Sequence, residues 1–316
     1  MIRDEGSNLT ERFRFTDKMA RVTAGYGGEA LLIKGSEKTA LIDCGMAYCG
    51  DRLVDNIRRE LGGRPLDYAI LSHTHYDHIG ALPYVRKAWP ALISFGASYG
   101  KKVLEKESVL KQIKTMSEKA WEYFLKTKPA VLMDGMRIDR AVSENDIISL
   151  GEEEFSVFET PGHTTCSLTF LLNPDQILFP SESTGVYTGN GQMITGMLKS
   201  YRETVASIEK CRKIKTEYIV SPHYGLVPEG DTEFYWDYAA ASVNQHKDFV
   251  LEKIKKGALF EEILEEYTKE FWNDLVAEEQ PIEAFLLNAQ YMIQNLIREF
   301  PRYGKVREQL LLRGKG

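Results

Sequence analysis

Leu71-Ser-His-Thr-His-Tyr-Asp-His-Ile-Gly80 decides how this chain is read. His73, His75, Asp77 and His78 fall within six residues, and three of the chain's six histidines sit here. Imidazole nitrogen and carboxylate oxygen are donors that divalent transition metals take, so the run reads as a metal-binding loop. Its flanks say how it is displayed. Leu66-Asp-Tyr-Ala-Ile-Leu71 is a short apolar run predicted to be a buried strand, and Gly80-Ala-Leu-Pro-Tyr-Val opens a helix. The donors then lie at the carboxyl end of a strand, where α/β sheets place their ligands. The turn predicts His73 and His75 on one metal, with Asp77 and His78 on a second.

Outward from this loop, residues 20–72 alternate apolar runs with turns. Ala30–Lys34 and Thr39–Asp43 read as a hairpin. Leu53, Val54, Ile57 and Leu61 mark a helix closed by Gly62-Gly63. Residues 97–126 read as one long helix stopped before Pro129. Strands follow at 146–150, 154–159, 167–172, 177–179 and 218–220, with a helix at about 200–213. Two of these strands end in proline turns that project a histidine, Thr160-Pro-Gly-His163 and Ser221-Pro-His223, and both histidines read as further ligands. Past Tyr224 the pattern becomes helical. Asp231 is read as the cap of a helix ending at Gly257, and two more amphipathic helices follow, the last stopped at Pro301. The expected division is a core over 1–230 and a helical cap over 231–316.

Composition bounds the function. The net charge of -6 speaks against broad nucleic-acid binding. No apolar run reaches the ~20 residues of a membrane helix, and Met1–Asn8 has no apolar signal core. Cys44, Cys49, Cys166 and Cys211 show no CxxC spacing, and are read as packed, reduced thiols of a cytoplasmic protein.

Taken together, the strand ending at Asp43, the His-x-His-x-Asp-His run, His163, the acid after Ile177–Phe179 and His223 resemble the metallo-β-lactamase superfamily. The resemblance spans residues 20–225. It implies a four-layer αβ/βα sandwich holding two divalent ions, zinc first, with iron or manganese as alternatives. His73, His75 and His163 would hold one ion, and Asp77, His78 and His223 the other. Asp43 would orient a ligand histidine from behind, and Asp77 would also serve catalysis. Family members usually carry Gly-Asp after this strand, with the aspartate bridging both ions. Here Pro180-Ser-Glu182 puts a glutamate in that place. His75 speaks against the diiron reductases of the superfamily, which resemble it but carry glutamate there.

Such a centre implies hydrolysis of a small ester or thioester by metal-activated water. The alternatives are a phosphodiesterase or nuclease on the same site, or a regulatory member of low turnover. The layout of core plus helical tail is similar to that of a thioesterase-like member, the quinolone-signal response protein. Tyr76, Ser183, Thr184 and Tyr224 flank the ligands in sequence and are assigned to the substrate pocket. His246, Phe285 and Tyr291 are assigned there from the helical tail, and the glycine-rich segment 185–198 reads as a mobile flap. The expected partner is a small-molecule substrate, with no nucleic acid or membrane.

Overall fold

Thr39–Ile42 is buried along its whole length, and strands buried on both faces belong inside a layered α/β structure. In the computed structural model, which describes residues 18–301, this run is β3 of a six-stranded sheet. The order is β1 (Met19–Arg21), β2 (Leu31–Lys34), β3 (Thr39–Ile42), β4 (Tyr68–Ile70), β5 (Ile93–Ala97) and β6 (Arg140–Val142). The hairpin β2–β3 forms as read, and β3 through β6 are parallel. Met1–Asn8 and the end of the tail, residues 302–316, lie outside the described residues.

A second sheet contains β7 (Ile147–Ser149), β8 (Glu154–Glu159), β9 (Leu168–Asn173), β10 (Ile177–Phe179), β13 (Tyr218–Ser221) and β14 (Gly225–Leu226). Its spatial order is β14-β13-β10-β9-β8-β7. Side chains alternate across a strand, and the two faces of the first sheet separate accordingly. Leu31, Ile33, Ala40, Ile42 and Ile70 pack with Phe155, Val157, Phe170 and Phe179 between the sheets. Leu32, Leu41, Ala69 and Leu71 point the other way, into a core shared with helices. The fold is a mixed α/β sandwich with a C-terminal helical region.

The helices on the outer face are α1 (Gly50–Leu61), α3 (Leu82–Ala88) and α5 (Glu107–Leu125), with the one-turn α2 (Tyr76–Ile79) and α4 (Ser98–Leu104) nearby. α1 buries Leu53, Val54, Ile57 and Leu61, and Gly62 closes it with φ 57°. The stretch 97–126 is not one helix. Lys106 is extended (φ -89°, ψ 122°) and separates α4 from α5. No proline or glycine marks the break.

Chain contacts define two compact units. The first takes the described residues up to Thr160, with Cys166–Ser181 and Lys215–Thr232, and contains both sheets. The second takes Pro161–Thr165, Glu182–Ile214 and the chain from Glu233. It contains the hairpin β11 (Val186–Gly189) and β12 (Gln192–Ile194), then α6 (Tyr201–Cys211), α8 (Tyr235–Lys255), α9 (Phe260–Phe271), α10 (Asp274–Glu279) and α11 (Ile282–Glu299). The segment read as a flap is therefore a paired hairpin. Gly185, Gly189 and Gly191 take φ of 92°, 105° and 71°, so they serve its turns. Asp231 does not cap the long tail helix. It belongs to a separate turn, α7 (Glu229–Thr232), closed by Asp231 and Thr232 backbone N–H groups donating to the Pro228 carbonyl, and α8 starts at Tyr235.

Candidate metal centre

β4 ends at Ile70, and the chain turns at Ser72 into the histidine run. His75 is the N-cap of α2, whose single turn carries Asp77 and His78. The turn is pinned from three sides. The Cys44 N–H donates to the His78 carbonyl (2.7 Å), Gly28 N–H donates to the Asp77 carbonyl (3.1 Å), and Leu168 N–H donates to the Ser72 carbonyl (2.8 Å). His73 and His78 are buried, and their rings lie 4.2 Å apart between centroids; His73 and His75 lie 4.6 Å apart. His223 follows β13 and brings its ring to 5.2 Å from that of His78. Asp77 Oδ2 stands 3.9 Å from both His78 Nε2 and His223 Nε2.

The backing of this group is one carboxylate. Asp43 is 4% exposed and held at φ 51° just past β3. Its Oδ1 accepts from the Ser72 N–H (2.8 Å), and its Oδ2 accepts from the Ser72 hydroxyl (2.6 Å) and from His78 Nδ1 (2.8 Å). With its proton given to Asp43, the Ser72 oxygen accepts from His73 Nδ1 at 3.0 Å. Asp43 therefore orients two histidines, one directly and one through Ser72, and turns both Nε2 lone pairs toward the cluster. Ser72 was not singled out from the sequence, although a hydroxyl residue immediately before a ligand pair is the visible signal. Gly28 is a second such residue. A methyl group there would stand 2.5 Å from His78 Nδ1, so only glycine leaves room for the ring.

His163 and Glu182 form a further pair. His163 follows the Pro-Gly turn after β8, and Glu182 opens a 3-10 turn, Glu182–Thr184. His163 Nδ1 donates to the Gly196 carbonyl (2.8 Å), leaving Nε2 2.9 Å from Glu182 Oε2. Both side chains are buried.

The donor atoms fall into two sets, His73, His75, His163 and Glu182 in one and Asp77, His78, Glu182 and His223 in the other. Within each set all lie within 4.8 Å of one another. Two donors on one tetrahedral ion with bonds near 2.0–2.1 Å stand about 3.3 Å apart, so each set is compact enough to close around a small cation. Five imidazoles and two carboxylates, with no thiolate, fit a divalent metal.

The remaining pocket assignments resolve differently. Ser183 and Thr184 are fully buried. The Ser183 oxygen accepts from the His163 N–H, and the Thr184 side chain bonds the Tyr235 hydroxyl. Both groups are engaged inside the fold. Tyr76 packs on the helix-side core, and Tyr224 is half-buried with φ 60°. His246 lies in the core of the helical unit, stacked on Phe271 (3.9 Å) and bonded through Nδ1 to the Tyr267 hydroxyl (2.5 Å). Phe285 packs on Tyr267 and Trp272 in the same core, and Tyr291 is 49% exposed. Packing within the tail's own core thus accounts for His246 and Phe285.

Comparison with known proteins gives the family. A model of the metallo-beta-lactamase superfamily matches residues 24–223, more than half of the chain. ST1585, a metallo-beta-lactamase fold-containing protein of Sulfurisphaera tokodaii, is 30% identical over 166 residues, covering 51% of this chain and 62% of that protein. Its structure superposes with a TM-score of 0.57 over 89% of this chain and 98% of its own, at 21% identity. The acyl-coenzyme A thioesterase MBLAC2 of Gallus gallus is 27% identical over 184 residues, covering 53% of this chain and 60% of the relative. These two curated relatives are therefore matched over less than two thirds of their length. A B3 metallo-beta-lactamase with an active-site glutamic acid shares the fold, with a TM-score of 0.51 at 18% identity over 72% of this chain and 86% of its own. The family match runs from residue 24, ahead of β2, to His223, and the chain belongs to the metallo-beta-lactamase superfamily.

Proposed function

We propose that the protein is a dinuclear metal-dependent hydrolase of a small ester or thioester. The observation that carries this reading is the presence of Glu182 in both donor sets. In this assignment His73, His75 and His163 would hold one ion and Asp77, His78 and His223 the other, with Glu182 available to both. Two divalent ions bound there would make water acidic enough to react near neutral pH and would polarise a substrate carbonyl. The chain's own groups do the rest. Asp43, Ser72 and the Gly196 carbonyl hold the Nδ1 protons of His78, His73 and His163, so each ring offers Nε2 as a lone pair. Asp77 and Glu182 offset half the charge of two dications. The remaining positive charge favours the oxyanion of an ester or thioester undergoing attack. Asp77 would also orient the attacking oxygen nucleophile.

The three-histidine set favours zinc, and the carboxylate-rich set admits iron or manganese. Thioesters are included because the MBLAC2 relative acts on acyl-coenzyme A. A cytoplasmic location belongs to the same proposal, supported by four buried thiols. Among the described residues no helix is long and apolar enough to cross a membrane.

Gently purified protein is expected to contain about two metals per chain. It should hydrolyse esters or acyl-coenzyme A thioesters, lose this on chelation and regain it on adding zinc, iron or manganese. Glu182→Gln should retain about one ion and lose ~10–100-fold in activity, the scale of a lost partner at a metal site. A maximum of one ion in the parent, or turnover of phosphodiesters alone, overturns the assignment.

A further inference from the structure

In the helical unit, the segment from Met193 to Tyr201 touches the ligand pair His163–Glu182 on one side and the C-terminal helices on the other. On the ligand side, the Gly196 carbonyl accepts from His163 Nδ1. A methyl group on Gly196 would stand 1.9 Å from the Glu182 carbonyl oxygen and 3.3 Å from His163 Nδ1, so this backbone presses on both ligands. Lys199 and Ser200 N–H groups donate to the carbonyl of Gly162, the residue before His163 (2.8 and 3.1 Å). The loop that aims His163 is thus gripped by the segment at its side chain and its main chain.

On the helix side, Ser242 of α8 donates to the Met193 carbonyl (2.9 Å). Asn295 of α11 donates through Nδ2 to the Leu198 carbonyl, and the Leu198 N–H in turn donates to the Gly196 carbonyl (2.8 Å). Glu299, at the end of α11, accepts from the Tyr201 and Arg202 N–H groups (3.0 and 3.1 Å), holding the start of α6. Each of these hydrogen bonds goes to main chain, so it fixes position whatever side chains the segment carries.

We infer that Asn295 and Glu299 are positioning residues for the metal centre: Asn295 acts through the Leu198–Gly196 backbone, and Glu299 through the adjoining main chain whose Lys199 and Ser200 N–H groups hold the Gly162 carbonyl, to fix the His163 ring beside Glu182. The C-terminal helices then set the affinity of the His163-containing donor set from outside the ligand loops. This rests on the dinuclear reading above.

The test uses the full chain. Asn295→Asp keeps the shape but removes the donor to Leu198. Glu299→Gln keeps the shape but removes the charge, and Asn295→Gln restores a donor on a longer arm. Each protein is loaded with zinc and dialysed against graded chelator, and retained metal is counted. The cobalt-loaded forms are compared by visible absorption, and the metal-free forms by thermal unfolding. In Asn295→Asp and Glu299→Gln, one of the two ions is expected to leave at ~10-fold or more lower chelator strength, on the scale of a lost outer partner. The cobalt spectrum should change, the second ion should hold as in the parent, and Asn295→Gln should recover part of the loss. Ser242→Ala serves as a milder variant if either of the first two fails to fold. Parent-like retention of both ions with an unchanged cobalt spectrum, at lower melting temperature, makes the helices a structural support only and overturns the inference. A parent that binds no metal instead sinks the dinuclear reading itself, and the inference with it.

Discussion

Asp43 shows how much of a metal site is built one atom behind the ligands. Three donors converge on its carboxylate, two from Ser72 and one from His78. Removing its charge leaves those donors facing an amide that has one acceptor oxygen instead of two. Asp43→Asn is expected to lower metal affinity ~10–100-fold with the ligands themselves intact. Zinc competition against a chelator of known strength measures this, and unchanged affinity would show that the imidazoles orient without Asp43. Gly28 makes the complementary point by steric means. In Gly28→Ala the new methyl meets the His78 ring at 2.5 Å, so either ring or backbone must move. Overpacking of this kind costs about 1–3 kcal/mol. Urea unfolding of the metal-free protein should show that loss, and metal content should fall because His78 is displaced.

Among the elements, the helical tail has a polar device in its own core. His246 on α8 is stacked on Phe271 and bonded to Tyr267 of α9, whose hydroxyl reaches Met292 Sδ on α11 (3.6 Å). Burial pushes the His246 pKa down to about 3, because the aromatic surroundings disfavour the imidazolium. In the unfolded chain this histidine takes a proton near pH 6.5, while in the folded chain it stays neutral down to about pH 3. Its neutral burial is fully tolerated above pH 6.5, and stability falls as pH drops from there toward 3, by up to about 1.4 kcal/mol per pH unit. His246→Phe should flatten that part of the stability profile. Denaturant midpoints at several pH values for parent and variant decide it, and equal slopes would mean that His246 is not held neutral. The break between α4 and α5 and the separate turn α7 belong to this scale as well: no proline or glycine marks the first, while Pro228 and Gly230 mark the second.

For the whole molecule, the donor sets concentrate five of the chain's six histidines and two carboxylates. Cations that bind this folded arrangement and not the unfolded chain stabilise it by mass action. Chelation is therefore expected to lower the melting temperature, and added zinc to raise it in a concentration-dependent way; a melting curve indifferent to both would argue against a metal in the folded state. The sequence by itself determined the family, the α/β layering and the identity of the candidate donors. The histidine run is short, its residue types are chemically distinctive, and strand and turn patterns are local signals. Only the tertiary structure decided what surrounds those donors. Ser72, Gly28, Gly196 and Asn295 act through contacts with residues far away in the chain, and His246 takes its neutral state from burial against Tyr267 and Phe271 of α9. Such contacts depend on strand order and helix packing, and local periodicity carries no information about either.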